Sequence, residues 1–228
     1  MLAVPKGFPY RLTRNLMIAA GILYCSLLLE AAAGYPLNIH TSFLSELGAR
    51  DQATSPYARA MDLGASVLVL VAAILARPAA RMHRDVRGLM ISTAVFGLGT
   101  LFDSFFPMDC APSASEACRL AEERGHEGAD LVVHEVTSTL AGLGTMAIGV
   151  FAVLVLRRIG WGGALGRTVA VLAAAVLLTN TWLGIETGLE VLSGDDLHPP
   201  GILQRVAILL VCVLLAVLLP ALKRGFQR

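Results

Sequence analysis

The chain has 228 residues, 56% of them hydrophobic and 15% charged, with a formal net charge of +1 and a mean hydropathy of +0.69. A soluble domain carries roughly a quarter charged residues, so this composition excludes water as the main solvent. Membrane lipid is the expected surrounding, and no nucleic-acid partner is expected.

Crossing about 30 Å of hydrocarbon takes around 20 mostly apolar residues per helix, because each backbone N–H and C=O must be satisfied within its own segment. Six segments meet that requirement, at about 15–34, 58–76, 87–106, 131–156, 168–187 and 201–222. The expected fold is therefore all-α, a single transmembrane domain of six helices over residues 1–228. The first segment is too long for a signal peptide, and no small-residue cleavage site leads into a soluble mature chain, although Ala31-Ala32-Ala33 resembles one.

Sorting the basic residues by connection sets the expected orientation. Lys6, Arg11 and Arg14, then Arg77, Arg81, Arg84 and Arg87, then Arg157, Arg158 and Arg167, then Lys223, Arg224 and Arg228 fall on one side, thirteen of the 18. The positive-inside rule places that side, with both termini, in the cytoplasm of a multi-pass cell-membrane protein. Of the acids only Asp85 falls there; the others lie on or toward the outer half.

In chain order, the first outer loop carries His40-Thr41-Ser42-Phe43-Leu44-Ser45-Glu46-Leu47-Gly48-Ala49. Its interleaved apolar residues predict a segment folded back onto the bundle, with a short interfacial helix ended by Gly48. The short inner loop 77–87, with Pro78 and four arginines, suits anionic headgroups, and topological anchoring alone explains it.

The third helix ends in Phe102-Asp103-Ser104-Phe105-Phe106-Pro107-Met108-Asp109. An acid among three phenylalanines is expected to face the bundle interior, since a charge facing lipid costs about 2.5–3.5 kcal/mol at the membrane centre on insertion scales. The second outer loop, 107–130, holds Cys110 and Cys118, which an oxidising compartment would allow to pair; two free thiols or a metal pair are the alternatives. Cys25 and Cys212 lie in apolar runs and suit a helix core.

The fourth helix opens on His134-Glu135-Val136-Thr137-Ser138, where positions 134 and 138 share a face. A histidine there can serve as general base, metal ligand or hydrogen-bonding strut. The fifth helix adds Asn180, Thr181, Trp182 and Glu186, and the sixth opens on Gln204-Arg205. Glu186 and Arg205 are expected to pair near the outer interface; alternatively Arg205 holds a lipid phosphate.

These residues suggest two kinds of chemistry. Ser45 with His134 and Asp103 or Asp109 has the residue types of a Ser-His-Asp arrangement, with Glu46 beside it on a covering loop and Ser138, Glu186, Gln204 and Arg205 as ligand contacts. A metal would need His134, His198, Asp103, Asp109 and Glu46 to converge, and no HExxH, CxxC or HxxxH spacing supports it. The sequence specifies no cofactor, substrate or oligomeric state.

Four patches taken together resemble the bacterial and archaeal membrane family known as domain of unknown function 998. They are Leu44-Ser45-Glu46-Leu47-Gly48-Ala49, Phe106-Pro107-Met108-Asp109, His134, and Gly201-Ile202-Leu203-Gln204-Arg205. The resemblance covers nearly the whole chain and implies a six-helix fold without an assigned activity. The Cys110–Cys118 loop departs from it.

Two functions are expected to compete. One is an intramembrane enzyme acting on a lipid or isoprenoid headgroup at the outer leaflet; the other is a non-catalytic lipid-binding, sensing or assembly protein. A transporter ranks below both, because the sequence displays no internal repeat, no broken helix and no charge near the predicted midplane.

Overall fold

A computed structural model describes residues 7–124, 128–161, 163–193 and 200–226. All regular structure among them is helical: α1 (Tyr10–Leu23), α2 (Leu27–Ala32), a 3-10 helix (Leu44–Gly48), α3 (Ser55–Leu75), α4 (Arg77–Ala80), α5 (Arg84–Phe105), α6 (Glu116–Glu123), α7 (Ala129–Ile159), α8 (Ala164–Ser193) and α9 (Gly201–Phe226). Six spans are long and apolar enough to cross a membrane, the first being α1 and α2 together, Tyr10–Ala32. The protein is a polytopic six-span membrane protein.

The first span departs from the sequence expectation. It is interrupted at Tyr24-Cys25-Ser26, where the helical ladder gives way to a turn before α2 resumes it. Neither Pro nor Gly marks the break, so composition gave no signal for it.

Consecutive spans pack side by side: α1 on α3, α3 on α5, α5 on α7, α7 on α8, α8 on α9, and α9 back on α1. The ring is closed, with α7 also touching α9 across it. Phe96, Ile148, Leu156, Leu214, Leu215, Leu218 and Leu222 fill its interior. At Gly99 of α5 any Cβ would stand 2.7 Å from the Ala141 nitrogen and the Thr137 oxygen of α7, so only glycine allows the two backbones to approach this closely.

Because the spans cross an even number of times, the first and last described residues, Gly7 and Phe226, lie on one face, the terminal face; the connections after the first and third spans lie on the other, the loop face. On the terminal face Tyr10 donates its hydroxyl to the Leu219 carbonyl at 3.0 Å, fixing α1 to α9. Asp85, in the first turn of α5, accepts from Arg158 Nε of α7 at 3.2 Å.

A second, smaller core lies on the loop face, where Leu37, Leu44, Leu47, Ala49, Ala58, Met108 and Ala111 pack together. The 3-10 helix is therefore a folded-back cap. Its carbonyls are tied to the start of α3, Thr54 donating to Leu47 O at 2.7 Å and Ser55 to Gly48 O at 2.8 Å. Cys110 and Cys118 form a disulfide within the second loop, their Cα atoms 6.1 Å apart, and the loop is tied to the first by the Arg50 N–H donating to the Met108 carbonyl at 2.9 Å.

Candidate functional site

Three polar groups sit at the loop face.

The first lies under the cap. Glu30 on α2 is 1% exposed and Arg205 on α9 is 6% exposed. Arg205 Nε donates to Glu30 Oε2 at 3.0 Å and Nη2 donates to Oε1 at 2.5 Å, a two-pronged pair that matches the planar fork of the guanidinium. Its Nη1 donates to the carbonyls of Ser42 at 2.8 Å, Gly201 at 3.0 Å and Ile39 at 3.2 Å, and Nη2 also reaches Ser42 Oγ at 3.2 Å. All donor nitrogens are thus engaged.

Two expectations for Arg205 are corrected by this geometry. Its partner is Glu30 and not Glu186, which instead accepts from its own helix neighbour Trp182 Nε1 at 2.7 Å. A lipid phosphate has no nitrogen left to bind there. Gln204, beside it, accepts the Leu44 N–H through its side-chain oxygen and so holds the cap to α9.

Glu46 completes the cap. One carboxylate oxygen accepts the Phe43 N–H at 2.7 Å, satisfying the start of the 3-10 helix; the other accepts the Ser113 N–H at 3.0 Å and the Ser113 hydroxyl at 2.5 Å. Burial pushes its carboxyl above the ordinary glutamate range, opposed by those hydrogen bonds and by the charge of Arg205. Ser45 is half-buried on the same 3-10 helix, and among the described residues it makes no hydrogen bond to His134 or Asp103.

The second group is at the surface. Arg50 pairs with both Asp109 and Asp130. The Asp109 side chain is 56% exposed, so it belongs to an inter-loop clasp and is not joined to His134.

The third group lies inside the bundle between α3, α5 and α7, and it unites Asp103, His134 and Ser138. Asp103 Oδ2 accepts the Ser138 hydroxyl at 2.8 Å, and Oδ1 accepts the Thr137 hydroxyl. His134 is 9% exposed, with Nδ1 3.6 Å from Asp103 Oδ1, beyond hydrogen-bond distance. That Nδ1 has no hydrogen-bond partner among the described residues. Asp62 of α3 is near enough to Asp103 to feel its charge, and Tyr24, at the break in the first span, is near enough to feel both acids. Tyr24 is set by an edge-on contact with Phe96, the ring centroids 5.0 Å apart.

Glu30, Asp62, Tyr24 and Ser113 were not singled out by sequence reasoning. The cost rule that drew attention to Asp103 applies equally to Glu30 after Leu27-Leu28-Leu29 and to Asp62 between Met61 and Leu63. Tyr24 and Ser113 carry no comparable signal. Among the described residues no three His, Cys, Asp or Glu side chains gather into a metal-binding set, and His198 lies outside the described residues.

Residues 17–220 match the family model described as "Protein of unknown function (DUF998)". The chain belongs to that family. The match takes in four membrane crossings whole, most of the first and last, and every residue of the three polar groups above. No curated protein and no solved structure matches the chain.

Proposed function

We propose that the Asp103–His134 pair is an acid–base site for a lipid headgroup at the outer leaflet, with the terminal face in the cytoplasm. One observation carries this reading: a buried imidazole nitrogen lacks a hydrogen bond while a carboxylate oxygen lies 3.6 Å away. Purely structural histidines inside a membrane have their nitrogens satisfied, because an unmet polar atom there is costly. Looser geometry before substrate arrives is common for catalytic pairs.

In the proposed chemistry, Asp103 holds the Nδ1–H tautomer of His134 and leaves Nε2 to take a proton from a headgroup hydroxyl or an attacking water. Thr137 and Ser138 keep the carboxylate turned toward α7 by donating to it. Burial at the outer end of the bundle keeps bulk water away from the exchange.

The test replaces His134 with Ala and Asp103 with Asn in cells that lack the wild-type copy, and compares membrane lipid composition and the amount of folded protein. A changed lipid composition with protein folded at wild-type levels is the expected result. Unchanged lipids in the presence of folded His134→Ala protein would end the enzymatic reading.

A second reading, a non-catalytic lipid-binding or assembly protein, is favoured by the complete internal satisfaction of Arg205, Glu30 and Glu46 under the cap. It expects His134→Ala to lower the yield of folded protein and to leave lipid chemistry untouched. Orientation is tested separately: an impermeant maleimide on intact cells should label His40→Cys and spare Arg81→Cys, and the reverse pattern would invert the assignment.

A further inference from the structure

Arg59 lies on α3, four residues after its first residue Ser55. The helix starts at the loop face and its side chains tilt toward its N-terminus, so the guanidinium is carried outward, toward headgroup level. Its Cγ methylene lies against the end of the cap, 3.9 Å from where a Cβ on Gly48 would stand. Nε donates to the Ser104 carbonyl at 3.0 Å, one residue from Asp103.

That contact satisfies an orphan carbonyl in the last turn of α5, which is the ordinary structural use of such an arginine. It uses one of five N–H groups. Among the described residues, neither Nη1 nor Nη2 of Arg59 has a hydrogen-bond partner, and no carboxylate lies within ion-pair distance of it. Arg205 and Arg50 differ, since each closes its fork on carboxylates of this chain. A guanidinium held by Nε with its two terminal nitrogens free is presented as a two-pronged receptor for an anion.

Depth and neighbours define the anion. Arg59 lies three positions before Asp62, about 4.5 Å nearer the rim along the helix axis, and its Nε sits on the carbonyl next to Asp103, so an anion held by its terminal nitrogens is at the mouth of the acid-lined group. Tyr57 and Phe105, 65% and 57% exposed, place an aromatic belt at the same level. We propose that Arg59 holds the phosphate group of a phospholipid at this rim, so that the rest of the headgroup meets the Asp103–His134 pair. The proposal rests on the headgroup-site reading above and adds to it the phosphate as substrate class and Arg59 as the residue that selects it.

The experiment uses the full-length protein in neutral detergent micelles and follows thermal unfolding during titration with phosphatidylglycerol, with diacylglycerol of the same chains, and with inorganic phosphate. Phosphatidylglycerol should stabilise wild type and the terminal-face variant Arg81→Gln alike. Its apparent affinity should fall about tenfold in Arg59→Gln and partly recover in Arg59→Lys, which keeps the charge without the fork. An Arg59-dependent response to inorganic phosphate alone supports the phosphate assignment with a soluble source; a response to phosphatidylglycerol only supports the lipid. Equal responses in wild type and Arg59→Gln, or equal stabilisation by diacylglycerol, overturn it. Should Arg59→Gln fail to fold, Arg59→Lys decides, because undiminished affinity there removes the forked contact. His134→Ala retains the phosphatidylglycerol response on this proposal, so failure of the acid–base reading and failure of the Arg59 assignment are distinguished.

Discussion

Glu30 and Arg205 lie 175 positions apart and meet in a fully buried, two-pronged ion pair between α2 and α9. Taking two charges out of water is expensive, and the pair is tolerable only because three carbonyls and the Ser42 hydroxyl complete the coordination of the guanidinium. Removing either partner strands the other. Glu30→Gln and Arg205→Met should each cost about 3–5 kcal/mol, measured by unfolding in detergent. The double variant should lose clearly less than the sum of the two, and simple additivity would mean that the pair is not coupled.

Glu46 titrates in the cap, and its sign can be worked out. Burial raises its carboxyl above the ordinary range, so the folded protein holds this proton more tightly than the unfolded chain. The associated stability is fully present below the unfolded value and is lost as pH rises through the folded one. Wild type should therefore gain in melting temperature over Glu46→Gln as pH is lowered from about 8 to about 5. A gap that stays flat or narrows toward low pH would show that the hydrogen bonds from Phe43 and Ser113 outweigh burial.

The disulfide closes a short loop, Cys110 and Cys118 being eight positions apart. Chain entropy assigns such a closure about 2–3 kcal/mol. Reduction should lower the melting temperature correspondingly and speed amide exchange at Ser113, whose N–H is held by Glu46. Exchange at Ser113 that is unaffected by reductant would show the cap holding the loop without the bond.

Gly99 controls how closely α5 approaches α7. Gly99→Val places side-chain carbons against the backbone of Thr137 and Ala141, atoms that cannot rotate away. A loss of about 1–3 kcal/mol or more is expected, together with rupture of the Ser138–Asp103 bond. Gly184→Ala is the contrast: nothing lies within 4 Å of its Cβ position, so that substitution should be neutral or slightly stabilising. Thermal unfolding of the two variants side by side checks both.

Much of this architecture is legible in the residues because lipid imposes a single rule on long apolar runs. The apolar run over 201–222 is long enough to be a span, and Leu44 and Leu47 do not belong to a freely solvated loop; they join the small core beneath the cap. Asp103, His134 and Ser138 follow from the same rule combined with helical spacing. Partner choice is another matter. Glu186 and Arg205 lie at the loop-face ends of successive helices, which suggests a pair, yet α9 also returns to the first span and finds Glu30 there. Ring closure is a long-range property that no local pattern encodes. The turn at Tyr24-Cys25-Ser26 is similarly hidden, since no helix-breaking residue stands in it.

Closure between the first and last spans also orders events during synthesis. Glu30 enters the membrane with the first span, but its counter-charge is on the sixth, so throughout translation of the intervening chain a carboxylate waits without its partner. The nascent protein remains incomplete in charge until α9 arrives, and a product truncated before Arg205 retains an unneutralised acid beneath its loop face.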